Sequence, residues 1–216
     1  MKTFLTIVFT IITLNVFATA QRSDKIIYKG QEYSLNCNPL EDFFNIHPDK
    51  KPTTGIISSA LWRGYIATFE VVDNQLFLKD IKIMTKDSLN KIGDYKWESV
   101  IKEVFPNQDK IKIEWYSGLL VIPYGKMVNY MHMGYGSTYE NYYVLEINKG
   151  TLTKEKNFNN KEYEEFKEKQ FQAFKKTEEY KKQKKELQKN GRYSDEFLDS
   201  FLRSFATQYT TKILTD

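Results

Sequence analysis

The chain has 216 residues, of which 41% are hydrophobic and 28% charged, with a formal net charge of +4. That composition belongs to a folded domain of ordinary polarity; it excludes a disordered chain, a collagen, a coiled-coil rod and a multi-span membrane protein. A single cysteine, Cys37, excludes an intramolecular disulfide and any metal site built on paired cysteines.

Residues 1–20 carry Lys2, then an apolar run interrupted by Thr6, Thr10, Thr13 and Asn15, then Ala18-Thr19-Ala20 ahead of Gln21. This is the layout of a secretory signal cleaved after Ala20. The run is shorter than the roughly 20 residues a spanning helix needs, and no Cys follows it directly to carry a lipid. The expectation is an exported protein, periplasmic or secreted, with no transmembrane span after cleavage.

Strand signals fill residues 21–153: β-branched and aromatic residues, period-two alternation and closely spaced turn residues. Residues 26–28 and 33–37 flank Lys29-Gly30 as an opening hairpin. Cys37 has no basic or His neighbour to lower its pKa, so it reads as a small buried hydrophobe. Leu40, Phe43 and Phe44 suit a short helix, and Pro48 and Pro52 mark a surface loop. Residues 60–72 and 75–83 form a hairpin about Asp73-Asn74, and strict alternation stops within residues 76–81, where the second strand ends or bulges. Trp97, Val100, Ile101, Val104 and Phe105 recur with helical spacing, which predicts an amphipathic helix over 95–105 stopped by Pro106. Strands are expected at 111–116, at 118–122 with Pro123 ending it, at 142–147 and briefly at 151–153.

From residue 154 to 216 the pattern is helical. Tyr163, Phe166, Phe171, Phe174 and Tyr180 stripe a charged segment free of Pro and Gly over 159–190, a rod of roughly 45 Å at ~1.5 Å per residue. Gly191 stops it, and Ser194 caps a final helix with a wide apolar face of Phe197, Leu198, Phe201, Leu202, Phe205 and Tyr209. The two are expected to form a helical hairpin, packed on the β-rich part or extending from it. The fold class is α+β: a mainly antiparallel curled or barrel-like sheet with one or two short helices, followed by that hairpin.

Residues 154–192 hold 13 basic and 8 acidic side chains. The excess gathers at Lys181, Lys182, Lys184, Lys185, Lys189 and Arg192, against Glu186 alone. Cations there complement the helix dipole; they also suit an anionic surface or glycan. Nucleic acid is not expected, since the cluster lacks interleaved aromatics and a recognisable nucleic-acid module.

Residues 127–140 concentrate His132 with Met127, Met131, Met133, Gly134, Gly136 and several tyrosines. Gly134 and Gly136 allow a ligand to approach the backbone. His132 has the pKa range of a general acid or base, while Ser137 and Glu140 stand at the spacing of a capping box as well as of catalytic groups. A second candidate is Leu61-Trp62-Arg63-Gly64-Tyr65, where Arg63 could stack on an aromatic ring, hold a carboxylate or form an internal ion pair. Trp62, Arg63, Tyr65, Trp115, Tyr130, Tyr135 and Tyr139 are the candidate ligand contacts; they equally suit a core. With His47 and His132 as the two histidines and no metal-ligand spacing, no metal or other cofactor is implied. A Gly-x-Ser-x-Gly elbow is absent.

The segments Ala60-Leu61-Trp62-Arg63-Gly64-Tyr65, Glu114-Trp115-Tyr116-Ser117-Gly118 and His132-Met133-Gly134-Tyr135-Gly136-Ser137-Thr138-Tyr139-Glu140 together resemble a family of exported bacterial proteins with no assigned activity. The resemblance covers residues 26–150 and implies no catalytic residues. The Arg, Ser-Thr-Ser, Glu layout of ADP-ribosyltransferases is not met, because Tyr139 stands where the second Ser belongs and no Glu-x-Glu follows.

Three readings follow. The leading one is a non-catalytic protein binding a protein, peptide or glycan through residues 130–140, with Arg63 and Trp62 nearby. The second is a hydrolase or transferase with His132 as acid/base and Glu140 or Arg63 orienting the substrate, which requires them to converge in one cavity. The third is adhesion to an anionic surface through the basic cluster.

Overall fold

The elements in chain order are β1 (Asp24–Tyr28), β2 (Gln31–Leu35), α1 (Pro39–Ile46), β3 (Tyr65–Val72), β4 (Gln75–Lys86), β5 (Tyr95–Ser99), α2 (Ile101–Val104), β6 (Ile111–Lys112), β7 (Gly118–Asn129), β8 (Thr138–Asn148), β9 (Thr151–Asn159), α3 (Asn160–Phe174), α4 (Glu178–Gln188), α5 (Asp195–Ser204) and α6 (Ala206–Tyr209). The computed structural model describes residues 19–86, 94–132, 134–189 and 193–215. The signal-like residues 1–18, Met133, Gly191 and Arg192 lie outside the described residues.

Three two-residue turns, Lys29-Gly30, Asp73-Asn74 and Lys149-Gly150, hold positive φ at both positions, the backbone that matches the twist of antiparallel neighbours. The third is the tightest, since a Cβ on Gly150 would stand 2.3 Å from the Ile113 carbonyl oxygen.

The strands form one sheet in the order β2-β1-β3-β4-β9-β8-β7, with β5 and β6 also pairing with β4. The β1–β3 pair is parallel and the others are antiparallel. The sheet curls until Asn36 N donates to Val121 O at 2.9 Å, yet β2 and β7 form no ladder and the barrel stays open. Inside the curl lies the main core, with Ile26, Phe69, Ile81, Leu120 and Ile147 from the sheet and Leu40, Phe43 and Phe44 of α1 among its members.

Several local expectations are corrected. Residues 95–99 are a strand, because Tyr95, Trp97 and Ser99 alternate as well as they fit a helix and the distal half of β4 offers an edge to pair with. Helix remains only at α2. Pro123 does not end β7, which continues to Asn129; β7 is terminal in the sheet, so a missing N–H breaks no ladder on the open side. The strand expected at 111–116 shrinks to β6. Of the two outcomes expected within residues 76–81 the strand bulges and does not end: Lys79 is the extra residue opposite the Thr68–Phe69 step. The strand-rich part runs past 153 to Asn159.

The rod expected over 159–190 is broken. Asn159 caps α3 in a reciprocal box with Glu162, and the chain turns at 175–177. There Thr177 accepts from Tyr180 N at 3.1 Å to start α4, with Glu178 and Glu179 in its first turn. Ser194 caps α5 as expected. Among the described residues the expected hairpin is therefore four helices.

Phe171, Phe174, Tyr180, Leu202 and Ala206 form a small core among these helices. Tyr163, Phe166 and Ile213 pack against Leu119, Val121, Tyr142 and Val144 on the outer face of β7–β8. Both faces of this strand pair are thus covered, which explains the unbroken apolar run at residues 119–122. Glu146 Oε2 fastens the returning chain by accepting from Ile213 N at 2.7 Å.

Candidate functional site

The linker from β7 to β8 and the helices enclose a cleft of about 540 Å³. One wall is the linker itself, with Met131, Gly134, Tyr135, Gly136 and Ser137. The facing wall is α5, whose Phe197, Ser200, Phe201 and Ser204 recur at i, i+3, i+4 and i+7 and so share one face. Leu198 and Leu202 on the neighbouring stripe are buried and anchor that helix. Tyr163 and Lys167, one turn apart on α3, and Phe205, Thr207 and Gln208 complete the helical side, while Asn36, Val121 and Tyr142 lie on the sheet side. Tyr142 and Tyr163 stack with ring centroids 4.0 Å apart.

Side-chain and backbone bonds hold the linker. Met131 N donates to Ser137 Oγ at 3.0 Å, and Gln21 N donates to Gly134 O at 3.1 Å. Tyr135 connects the linker to the interior: its hydroxyl donates to Asn38 Oδ1 at 2.7 Å and accepts from Arg63 Nη1 at 3.0 Å. Arg63 Nη2 in turn donates to Asp24 Oδ1 and to Arg22 O, each at 3.1 Å. Asp24 Oδ1 also accepts from Ala67 N at 2.9 Å. Asp24 Oδ2 and Arg63 Nε are buried without a protein partner. Burial pushes the Asp24 carboxyl up to about 6, against the opposing pull of Arg63. Burial likewise pushes the Tyr135 phenol up to about 12.

The candidate residues separate. Tyr135 and Ser137 line the cleft. Arg63 lies behind Tyr135, buried in the internal ion pair that was one of its expected roles. Tyr65 is fully buried and donates to Glu41 Oε1 at 2.6 Å. Trp115 is half-buried, stacked on Phe105 and donating Nε1–H to Pro39 O. Trp62 is exposed and lines a different cavity of about 410 Å³ with Glu41, Asp42 and Glu179.

Tyr130 and His132 are exposed and meet edge to face with centroids 4.7 Å apart. Tyr139 is half-buried, its N–H donating to the Tyr142 hydroxyl. Glu140 accepts from Lys126 N at 2.9 Å. The capping-box geometry at Ser137 and Glu140 is absent, because residue 138 begins a strand and both side chains bond to backbone N–H groups across the β7–β8 connection. Arg63, His132, Ser137 and Glu140 therefore do not share one cavity.

Half of the basic cluster is compensated within the helices. Lys181 pairs with Glu178, Lys189 with Glu186, and Lys184 with Asp195 and Asp199. Lys182 and Lys185 complete the described part. Among the described residues no group of three or more His, Cys, Asp or Glu is placed to hold a metal ion, and no helix is long and apolar enough to cross a membrane.

Reading the sequence missed the helical wall as a site. Phe197, Phe201 and Phe205 were expected as packing residues; the surplus width of that apolar face was the available signal. Lys167, Tyr163 and Asn36 carried none, since only the tertiary fold brings them to the linker. Comparison of the chain with protein-family models, curated proteins and solved structures finds no match, so the cleft geometry is what bears on function.

Proposed function

We propose that the chain is an exported, non-catalytic binding protein that holds a largely apolar ligand in the cleft between the β7–β8 linker and α5. One observation carries this reading: the cleft of about 540 Å³ has aromatic and aliphatic walls with neutral hydroxyl and amide groups and the ammonium of Lys167. Its size falls in the range of roughly 300–1,000 Å³ that encloses a single small molecule. Of the catalytic candidates, His132 and Glu140 stand outside it, and Ser137, which lines it, accepts from Met131 N. Export rests on the signal-like residues 1–20, and N-terminal sequencing of the protein recovered outside the cytoplasm is expected to begin at Gln21.

The test of binding is the neutral solvatochromic dye Nile red. It is expected to bind the native protein at one site, and Ser204→Trp, which places an indole into the cleft, is expected to weaken that binding by about tenfold or more. Circular dichroism confirms that the variant is folded. Dye binding unchanged in a folded Ser204→Trp protein would defeat the reading.

A further inference from the structure

We infer that the ligand of this cleft is a single-chain amphiphile with an anionic head, of the long-chain fatty acid type. The head is held at Lys167, and the chain lies along the Phe197 and Phe201 face of α5. This rests on the binding reading above and adds the ligand class.

The first support is an apolar surplus on α5. Leu198 and Leu202 are buried, and Phe201 packs in part against the helical core, so the surplus is centred on Phe197. Phe197 and Phe201 line the cleft one residue ahead of each, and Phe197 remains 51% exposed. Large apolar side chains bordering an open cavity mark a surface that something covers.

The second is the shape of that surface. Met131, 42% exposed, is adjoined in the chain by Tyr130 and, at the end of β7, by Val128, both exposed. On the helical side Phe197 stacks on exposed Tyr193 with centroids 4.8 Å apart. Exposed apolar side chains thus follow along both chain segments that wall the cavity, a longer surface than a compact ring system needs.

The third is charge. Among the described residues, Lys167 is the one charged side chain lining the cleft, and no carboxylate lines it. Its Nζ stands 5.0 Å from the centroid of the Tyr163 ring, itself part of the wall. Its present partner, Glu164 Oε1 at 2.8 Å, belongs to a half-exposed side chain on the same helix, and such a surface pair is weakly held. An arriving carboxylate finds this ammonium in a cleft that Ser200, Ser204 and Thr207 also line, with the Ser204 hydroxyl already donating to Ser200 O. A cationic head is repelled by Lys167 and meets no carboxylate among the described lining residues.

The experiment is displacement of Nile red from the full-length mature protein by three sixteen-carbon probes below their micellar concentrations: palmitate, 1-hexadecanol and hexadecyltrimethylammonium. Each is also tested with Lys167→Met, which keeps an apolar side chain over Tyr163. Palmitate is expected to displace the dye about tenfold more tightly than the cation. Lys167→Met is expected to weaken palmitate by about tenfold and leave the alcohol unchanged. Equal displacement by all three heads, an unchanged palmitate constant in Lys167→Met, or no displacement by palmitate would each overturn the amphiphile assignment. In those cases a dye site sensitive to Ser204→Trp leaves the binding reading standing. If Nile red does not bind the native protein, both conclusions fall.

Discussion

Arg63 and Asp24, 39 residues apart in sequence, meet at 3.1 Å with side chains only 1% and 0% exposed. The pair joins the first strand to the residues just before β3, and through Tyr135 it reaches the cleft linker. A buried charge left without its partner is far costlier than the pair is favourable. Arg63→Met is therefore expected to lower the unfolding free energy by about 3–5 kcal/mol. Denaturant unfolding at neutral pH checks this, and a change near zero would remove the pair from the account of stability.

The same carboxyl sets a pH dependence. Desolvation raises Asp24 from 3.8 to about 6 in the folded chain. An acid whose pKa is higher folded than unfolded holds its proton more tightly in the native state. Its contribution is full below about pH 4 and is lost as the pH rises towards 6, a change on the order of 3 kcal/mol. Comparing Asp24→Asn with the native protein near pH 4 and near pH 7 isolates it. Native stability should fall relative to the variant across that interval; parallel curves would contradict the assignment.

Tyr135 is the bridge between the pair and the linker. Tyr135→Phe keeps the ring in the cleft wall but removes both the donor to Asn38 and the acceptor for Arg63 Nη1. A loss of about 1–3 kcal/mol is expected, with faster hydrogen exchange at the linker amides of Met131 and Gly136 than at the sheet amides. Protection unchanged at those amides would mean that the linker is held without the bridge.

Cys37 is buried, and desolvation pushes its thiol up to about 12. Thiolate is the reactive form. A disulfide reagent near pH 8 is therefore expected to leave the native protein untouched and to label one thiol per chain in denaturant. Rapid labelling without denaturant would contradict this burial.

How much of this was legible in the sequence depended on the range of the interaction. The hairpins about Lys29-Gly30 and Asp73-Asn74 were readable because the turn residues themselves fix the backbone. The linker drew attention as a candidate site-bearing segment through its glycines and tyrosines, and the structure places part of it along the cleft. The internal role of Arg63 was among the expected alternatives, but its partner was not, since only the parallel β1–β3 pairing brings Asp24 to it. Residues 95–99 were misread because five apolar positions satisfied a helical period while the open edge of β4 decided for strand. The break before α4 was encoded in Thr177-Glu178-Glu179, a cap with acidic followers, and was overridden by the longer aromatic stripe. The helical wall of the cleft needed the docking of α3 and α5 on the sheet and had no local signature.

The near-closure of the sheet has a mechanical consequence. Asn36 and Val121, whose backbones bond at 2.9 Å where the two ends of the sheet approach, both border the cleft. An occupant therefore acts as a clasp across a seam between the first fifth of the chain and its middle. It would keep water from that bond and load both sheet ends at once, so that filling the cleft tightens strands it never touches.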